Sequence, residues 1–230
     1  MHRHISEQYD IELSQLRDRL MEMGGLVEQQ VDQACLSLIN HDAKLADEVR
    51  QVESRLNQME VELDDECVGI IAKRQPTAGD LRAVVSVMKL ITDLERIGDE
   101  ADRIAKMALS FTPFETPSDR YSGFRDMHKK ATDALSRALD GFARLDVETA
   151  LRVIEEDTDI DDAYDALVRT CINEMQQLPE EAEHFVGLMW AARALERIGD
   201  HAKNISEYVI YQVKGKDVRH VEDVEEEAGQ

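Results

Sequence analysis

The six residues Leu94-Glu95-Arg96-Ile97-Gly98-Asp99 recur unchanged 101 positions later as Leu195-Glu196-Arg197-Ile198-Gly199-Asp200. Chance identity over six residues in a chain of this length is on the order of one in several hundred, so the repeat indicates a duplicated unit. A second correspondence agrees with it, because Glu53-x-x-x-Asn57 matches Asp157-x-x-x-Asp161 at a spacing of 104. The chain therefore reads as two copies of one structural unit.

Apolar residues around these motifs recur every three or four positions, which is the pattern of long amphipathic helices. Residues that commonly begin helices interrupt this pattern at six positions, and each marks a predicted helix start: Ser6, Asp42, Thr77, Ser118, Asp146 and Pro179. Short connections make consecutive helices antiparallel neighbours. We predict an all-α fold of two tandem three-helix bundles related by internal duplication, over residues 1–112 and 113–230. The second unit includes a charged C-terminal tail.

The amino-acid composition limits the classes of partner that the protein could bind. The chain has 230 residues, 43% of them hydrophobic, and a formal net charge of -22. Such an acidic surface repels nucleic-acid phosphates and anionic lipids, whereas it attracts metal cations or basic protein patches. Neither a bilayer-spanning apolar run nor a signal peptide is recognisable. The three cysteines, Cys35, Cys67 and Cys171, lie far apart, as expected of buried thiols in a reducing cytoplasm.

Each half carries two pairs of oxygen-bearing side chains spaced four residues apart, which places both members of a pair on one helix face. Carboxylates on adjacent helices would repel one another or take up protons, and a metal ion relieves this by accepting several oxygens. Carboxylate pairs also arise freely in so acidic a chain and then form a solvated face. Their recurrence at matching positions favours metal binding over that alternative.

Other residues in the motifs have simpler interpretations. Gly98 and Gly199 lie on apolar stripes and indicate a close helix approach. Arg96 and Arg197 are each expected to form an ion pair with a neighbouring acidic helix. His201 points away from Asp200 and is expected to act outside the ligand set. Trp190 is expected to anchor a core or an interface.

Motifs of catalysis are missing from the sequence. There is no Glu-x-x-His pair of the di-iron oxidases, no glycine-rich phosphate loop and no nucleophile motif. A non-enzymatic role is therefore predicted. A metal-storage protein or metalloenzyme, or a metal-free helical scaffold, remains the alternative.

The segments RQPTAGDLR (74–82), LERIGDEADRIA (94–105) and LERIGDHAKNIS (195–206) resemble the PhoU family of phosphate-uptake regulators. The resemblance spans residues 5–215. It implies two three-helix bundles, often dimeric, that bind metal ions or multinuclear metal clusters. It also implies a cytoplasmic adaptor that links the ATPase subunit of the phosphate ABC transporter to a sensor histidine kinase and represses phosphate-starvation genes. Membrane association would then be indirect, through these proteins.

The resemblance also assigns ligands to this sequence. It implies a first metal face of Glu53, Asn57, Glu95 and Asp99, and a second of Asp157, Asp161, Glu196 and Asp200. Iron or zinc is implied, with magnesium or manganese as further candidates. Because Asn57 is neutral, the first face carries one charge fewer, and tighter binding is predicted at the second. Asn204 is positioned to extend the second face, whereas Arg103 would oppose a cation at the first unless it bends away.

Overall fold

Six long helices account for nearly all of the computed structural model, which describes residues 7–110 and 118–218. They are α1 (Glu7–Asn40), α2 (Ala43–Arg74), α3 (Ala78–Ser110), α4 (Ser122–Arg144), α5 (Val147–Gln177) and α6 (Ala182–Lys214). These two described ranges contain no β-strand. The all-α prediction is confirmed.

Two of the predicted helix starts have the expected capping bonds. The Asp42 carboxylate accepts a hydrogen bond from the amide of Leu45 at 3.0 Å. Asp146 accepts hydrogen bonds from the amides of both Glu148 and Thr149. Such caps satisfy amides that the first turn of a helix leaves without partners.

Two other starts are displaced by a few residues. Ser118 and Pro179 open short 3₁₀ turns, Ser118–Tyr121 and Pro179–Glu181, which lead into α4 and α6. Tight turns of this kind are frequent at the N-termini of α-helices. The predicted cap at Ser6 lies outside the described residues.

The two three-helix bundles share one core. Helices α1–α3 pack together, as do α4–α6, and the two groups meet where α3 packs on α6 and α1 on α4. The buried apolar side chains of both groups form one continuous cluster. Leu94 and Leu195, from the two copies of the repeated motif, are both fully buried in it. The predicted boundary after residue 112 lies within residues 111–117, outside the described residues, and stays a prediction.

Polar contacts cross the packed pair α3–α6. Oδ1 of the buried Asp93 lies 2.6 Å from His201 Nδ1 and accepts a hydrogen bond from Asn204 at 3.2 Å. The Arg197 guanidinium lies 2.7 Å from the carboxylate of Glu100, which is also buried. The ion pair predicted for Arg197 is therefore confirmed, and it joins the two repeats.

Of the two roles predicted for Trp190, the core anchor is wrong, because 66% of its surface is exposed, and the interface anchor stays a prediction. Trp190 lies on the outer side of α6, one turn after Val186, which is also exposed. The cysteines agree with the prediction, since all three are buried free thiols. Among the described residues, no helix has an apolar stretch long enough to cross a membrane.

Candidate functional site

The repeated motifs lie on two pairs of adjacent helices. Glu53 and Asn57 belong to α2, which packs on α3 with Glu95 and Asp99. In the second repeat, Asp157 and Asp161 lie on α5 beside Glu196 and Asp200 on α6. Asp157 and Glu196 are only 6% and 8% exposed. Each predicted face thus combines two neighbouring helices, and the second one places two carboxylates in the interior.

Glycines hold both helix pairs close together. A Cβ atom built on Gly98 would lie 2.9 Å from Leu56 Cδ1, and one on Gly199 would lie 2.8 Å from Ile160 Cδ1. These distances are shorter than ordinary van der Waals contacts, so a larger residue would push the helices or side chains apart. The close approach predicted for both glycines is confirmed.

The same glycines also lie beside the carboxylates of the opposite helix. Glu53 Oε2 lies 3.9 Å from the Cβ position of Gly98, and Asp157 Oδ1 lies 3.7 Å from that of Gly199. The two repeats therefore share one local geometry, in which an acidic oxygen from the second helix faces the glycine of the third.

Repulsion among carboxylates is visible at the first face. Burial raises the pKa of Glu53, and the negative charge of Asp99 raises it further, while a hydrogen bond with Asn57 opposes the shift. The pKa of Glu95 is also raised, first by burial and then by Asp99. The structure thus brings Asp99 close enough to Glu53 and Glu95 to disfavour the ionisation of both glutamates.

The second face shows the same effect more strongly. Burial and the charge of Asp200 raise the pKa of Glu196 to about 7, despite the nearby Arg193. Burial and Asp157 likewise raise the pKa values of both Asp161 and Asp200. All four members of this face are therefore electrostatically coupled.

Basic side chains partly neutralise these carboxylates, and sequence reasoning missed two of them. Lys203 Nζ lies 2.9 Å from Asp157 Oδ2, and Arg193 forms an ion pair with Glu196. The available signal was helical spacing, since Arg193 precedes Glu196 by three residues and Lys203 follows Asp200 by three. At the first face, Arg96 Nε lies 3.5 Å from Oε2 of Glu95, so its ion pair is with a residue of its own helix and not, as predicted, with a neighbouring one.

Two residues next to the motifs are directed elsewhere. Arg103 binds Glu100 at 2.7 Å and so bends away from the first face. Asn204, predicted as a possible extension of the second face, instead donates its hydrogen bond to Asp93 across α3–α6. It therefore belongs to the contact between repeats.

The donor atoms present suit a hard cation, although their arrangement is not that of a formed metal site. Within residues 7–110 and 118–218, no three acidic, histidine or cysteine side chains converge with metal-holding geometry. Yet Glu53 Oε2 and Glu196 Oε2 are buried without a hydrogen-bond partner. A cation satisfies buried carboxylate oxygens of this kind and relieves their mutual repulsion. The donor chemistry of the eight predicted ligands therefore suits the implied metal, and their role as ligands stays a prediction.

The metal-free protein should lose stability as pH rises through the range in which Glu196 ionises. Its pKa is about 7 in the folded chain against an ordinary value of 4.5, so between these values the folded state binds more protons. The free energy of unfolding then falls with rising pH. We expect Glu196→Gln to weaken this dependence and to raise Tm at pH 8 by about 2–4 °C.

Thermal unfolding in a chelator between pH 5 and pH 8 measures this effect. Glu183→Gln, which changes an exposed carboxylate on the same helix, serves as the control and should retain the wild-type pH dependence. Equal pH dependence in wild type and Glu196→Gln would contradict the assignment.

Comparisons with known proteins agree with this architecture. A sequence model of the PhoU domain matches the chain twice, over residues 20–108 and 124–209. A PhoU homolog of Pseudomonas putida is 45% identical over 218 residues, covering 95% of this chain and 85% of that protein. PhoU of Escherichia coli K12 is 40% identical over 222 residues, covering 96% and 91%. Both are named as accessory proteins of the phosphate-specific transport system.

Solved structures give the same result. The crystal structure of PhoU from Pseudomonas aeruginosa superposes with a TM-score of 0.85 at 41% identity, covering 90% of this chain and 100% of that one. The regulatory protein PhoU from Streptococcus pneumoniae has a TM-score of 0.83 at 27% identity, covering 91% and 99%. Sequence, repeat and fold agree, and the chain belongs to the PhoU family.

Proposed function

We propose that the protein is a metal-binding accessory regulator of phosphate transport that acts by binding other proteins rather than by catalysis. The observation that carries the metal-binding part is the pair of carboxylate faces, each with a buried oxygen that has no partner. The regulatory part is supported by relatives named as phosphate-transport accessory and regulatory proteins.

In this proposal the eight carboxylate and amide side chains of the two faces hold the metal. A bound cation supplies positive charge that offsets the repulsion seen in the raised pKa values of Glu53 and Glu196. Glu196 would bind it through the unpartnered Oε2 while Oε1 keeps its ion pair with Arg193, and Asp157 would bind it through Oδ1 while Oδ2 keeps its ion pair with Lys203. The residues of each face thereby fix the spacing of α2–α3 and α5–α6.

The partners we propose are the ATPase subunit of the phosphate ABC transporter and the cytoplasmic part of a sensor histidine kinase. Binding to both would keep phosphate-starvation genes repressed when phosphate is plentiful. The protein would work in the cytoplasm as a homodimer and reach the membrane only through these partners. The strongly acidic chain, at a net charge of -22, favours protein partners over direct contact with anionic lipid.

Binding assays with the purified ATPase subunit and kinase domain test this proposal. We expect the metal-loaded chain to bind both, and chelation or Glu196→Gln/Asp200→Asn to weaken binding by about tenfold or more. Asp140→Asn/Asp159→Asn removes two exposed carboxylates outside the faces and should bind as the wild type does.

The outcomes separate the two parts of the proposal. No binding to either partner would overturn the adaptor role. Partner binding that is unchanged by chelation and by Glu196→Gln/Asp200→Asn would instead indicate a metal-free helical scaffold.

A further inference from the structure

Gln30 is a buried polar residue of α1 with one unsatisfied end. Its side chain belongs to the interior, with only 1% of the residue exposed. The amide nitrogen Nε2 donates a hydrogen bond to the backbone carbonyl of Val49 on α2, at 3.3 Å. The amide oxygen Oε1 has no hydrogen-bond partner. An amide oxygen buried without a donor costs about 1–3 kcal/mol, so its position calls for a reason.

That oxygen faces the first metal face. Gln30 Oε1 lies 3.2 Å from the position that a Cβ atom of Gly98 would occupy, and Glu53 Oε2 lies 3.9 Å from that position. Glu53 Oε2 is itself buried without a partner. Two acceptor atoms without hydrogen-bond partners thus lie beside one glycine. The bond from Nε2 to Val49 fixes the orientation of the amide in which Oε1, rather than Nε2, lies beside Gly98.

The second repeat has no equivalent oxygen. The spacing of 104 that relates Asp42 to Asp146 and Glu53 to Asp157 pairs Gln30 with Ala134, whose methyl group is buried in the core. Both faces therefore have a carboxylate oxygen beside their glycine, and the first face has the amide oxygen of Gln30 in addition.

We propose that the amide oxygen of Gln30 is an additional metal ligand of the first face, contributed by α1. This inference rests on the proposed metal binding and adds a third helix to the site. The first face then offers three carboxylates and two neutral amide groups, those of Gln30 and Asn57. An all-oxygen set of moderate charge is typical of sites for a single hard divalent cation.

Binding of Mn²⁺ to full-length variants tests the role of Gln30. In Glu196→Ala/Asp200→Ala, where the first face remains intact, we expect Gln30→Leu to weaken Mn²⁺ affinity by about tenfold or more, measured by titration calorimetry. Gln30→Glu, which keeps an oxygen at this position, should retain binding within a few-fold of the parent. In the matched parent Glu95→Ala/Asp99→Ala, which retains the second face, Gln30→Leu should leave Mn²⁺ affinity unchanged.

Each outcome has a distinct meaning. Equal affinity with and without Gln30→Leu in the first-face parent would overturn the ligand role while leaving metal binding intact. Absence of Mn²⁺ binding by the wild type would overturn this inference together with the metal-binding proposal. An equal loss in both parents would show a general structural effect and would also overturn it. Helix content by circular dichroism establishes that every variant compared is folded.

Discussion

Glu196→Ala is expected to remove more bound metal than Glu95→Ala. Glu196 belongs to the face with four carboxylates, whereas Glu95 belongs to the face in which Asn57 replaces one of them. It is also the more deeply buried of the two, and its Oε2 oxygen has no other partner. Metal affinity at oxygen sites increases with the number of charged ligands, so at a metal concentration that fills mainly the second face, removing one of its ligands releases more metal.

Equilibrium dialysis followed by elemental analysis measures the difference. At a metal concentration that fills the second face of the wild type but little of the first, we expect Glu196→Ala to release most of the bound metal, because it raises the dissociation constant of its face by about 10–100-fold. Asp140→Ala, on the exposed side of α4, controls for the loss of one negative charge. A larger loss of metal in Glu95→Ala would reverse the predicted order of the two faces.

The second large effect is on stability. Leu94→Ala and Leu195→Ala each remove a fully buried leucine at the same position of the repeated motif. Truncations of this kind destabilise a protein by about 2–5 kcal/mol through lost burial and the cavity left behind. For a chain of this length we expect Tm to fall by about 5–15 °C.

The form of the transition is as informative as its midpoint. Because both leucines belong to one continuous core, each variant should unfold in a single transition displaced as a whole. Val61→Ala, at a position 62% exposed, should leave Tm nearly unchanged. Differential scanning calorimetry that resolved two transitions, with only one shifted by either leucine substitution, would show that the repeats unfold independently.

Much of the fold follows from local patterns in the sequence. The duplicated motif at 94–99 and 195–200 predicts two equivalent units, and the apolar periodicity predicts their long helices. Asp42 and Asp146 mark helix starts because their capping bonds are local. The same spacing rules place the two members of each acidic pair on one face of their helix. In the structure, the two such helices of each repeat pack side by side.

What the sequence leaves open depends on contacts between distant segments. Periodicity identifies the apolar side of α3 but does not say that α6 packs beside it, so the contact between Asp93 and His201 was not predicted. The choice between core and interface for Trp190 was left open for a related reason, since residue type alone does not tell which side of a helix faces solvent. Gln30 is an isolated glutamine in α1, and only its burial and its position beside Gly98 connect it with the site.

The packing of α3 on α6 also bears on how such a chain arises. These helices are equivalent elements of the two repeats, so their contact is the kind that two identical one-repeat chains would make across a two-fold axis. Fusion of the two copies frees each side to change separately. Positions 93 and 201, Asp and His, correspond to Ala194 and Glu100, so one side of the contact now differs from the other. A symmetric association of two equal subunits has in this way become an asymmetric interior, which no homodimer could encode.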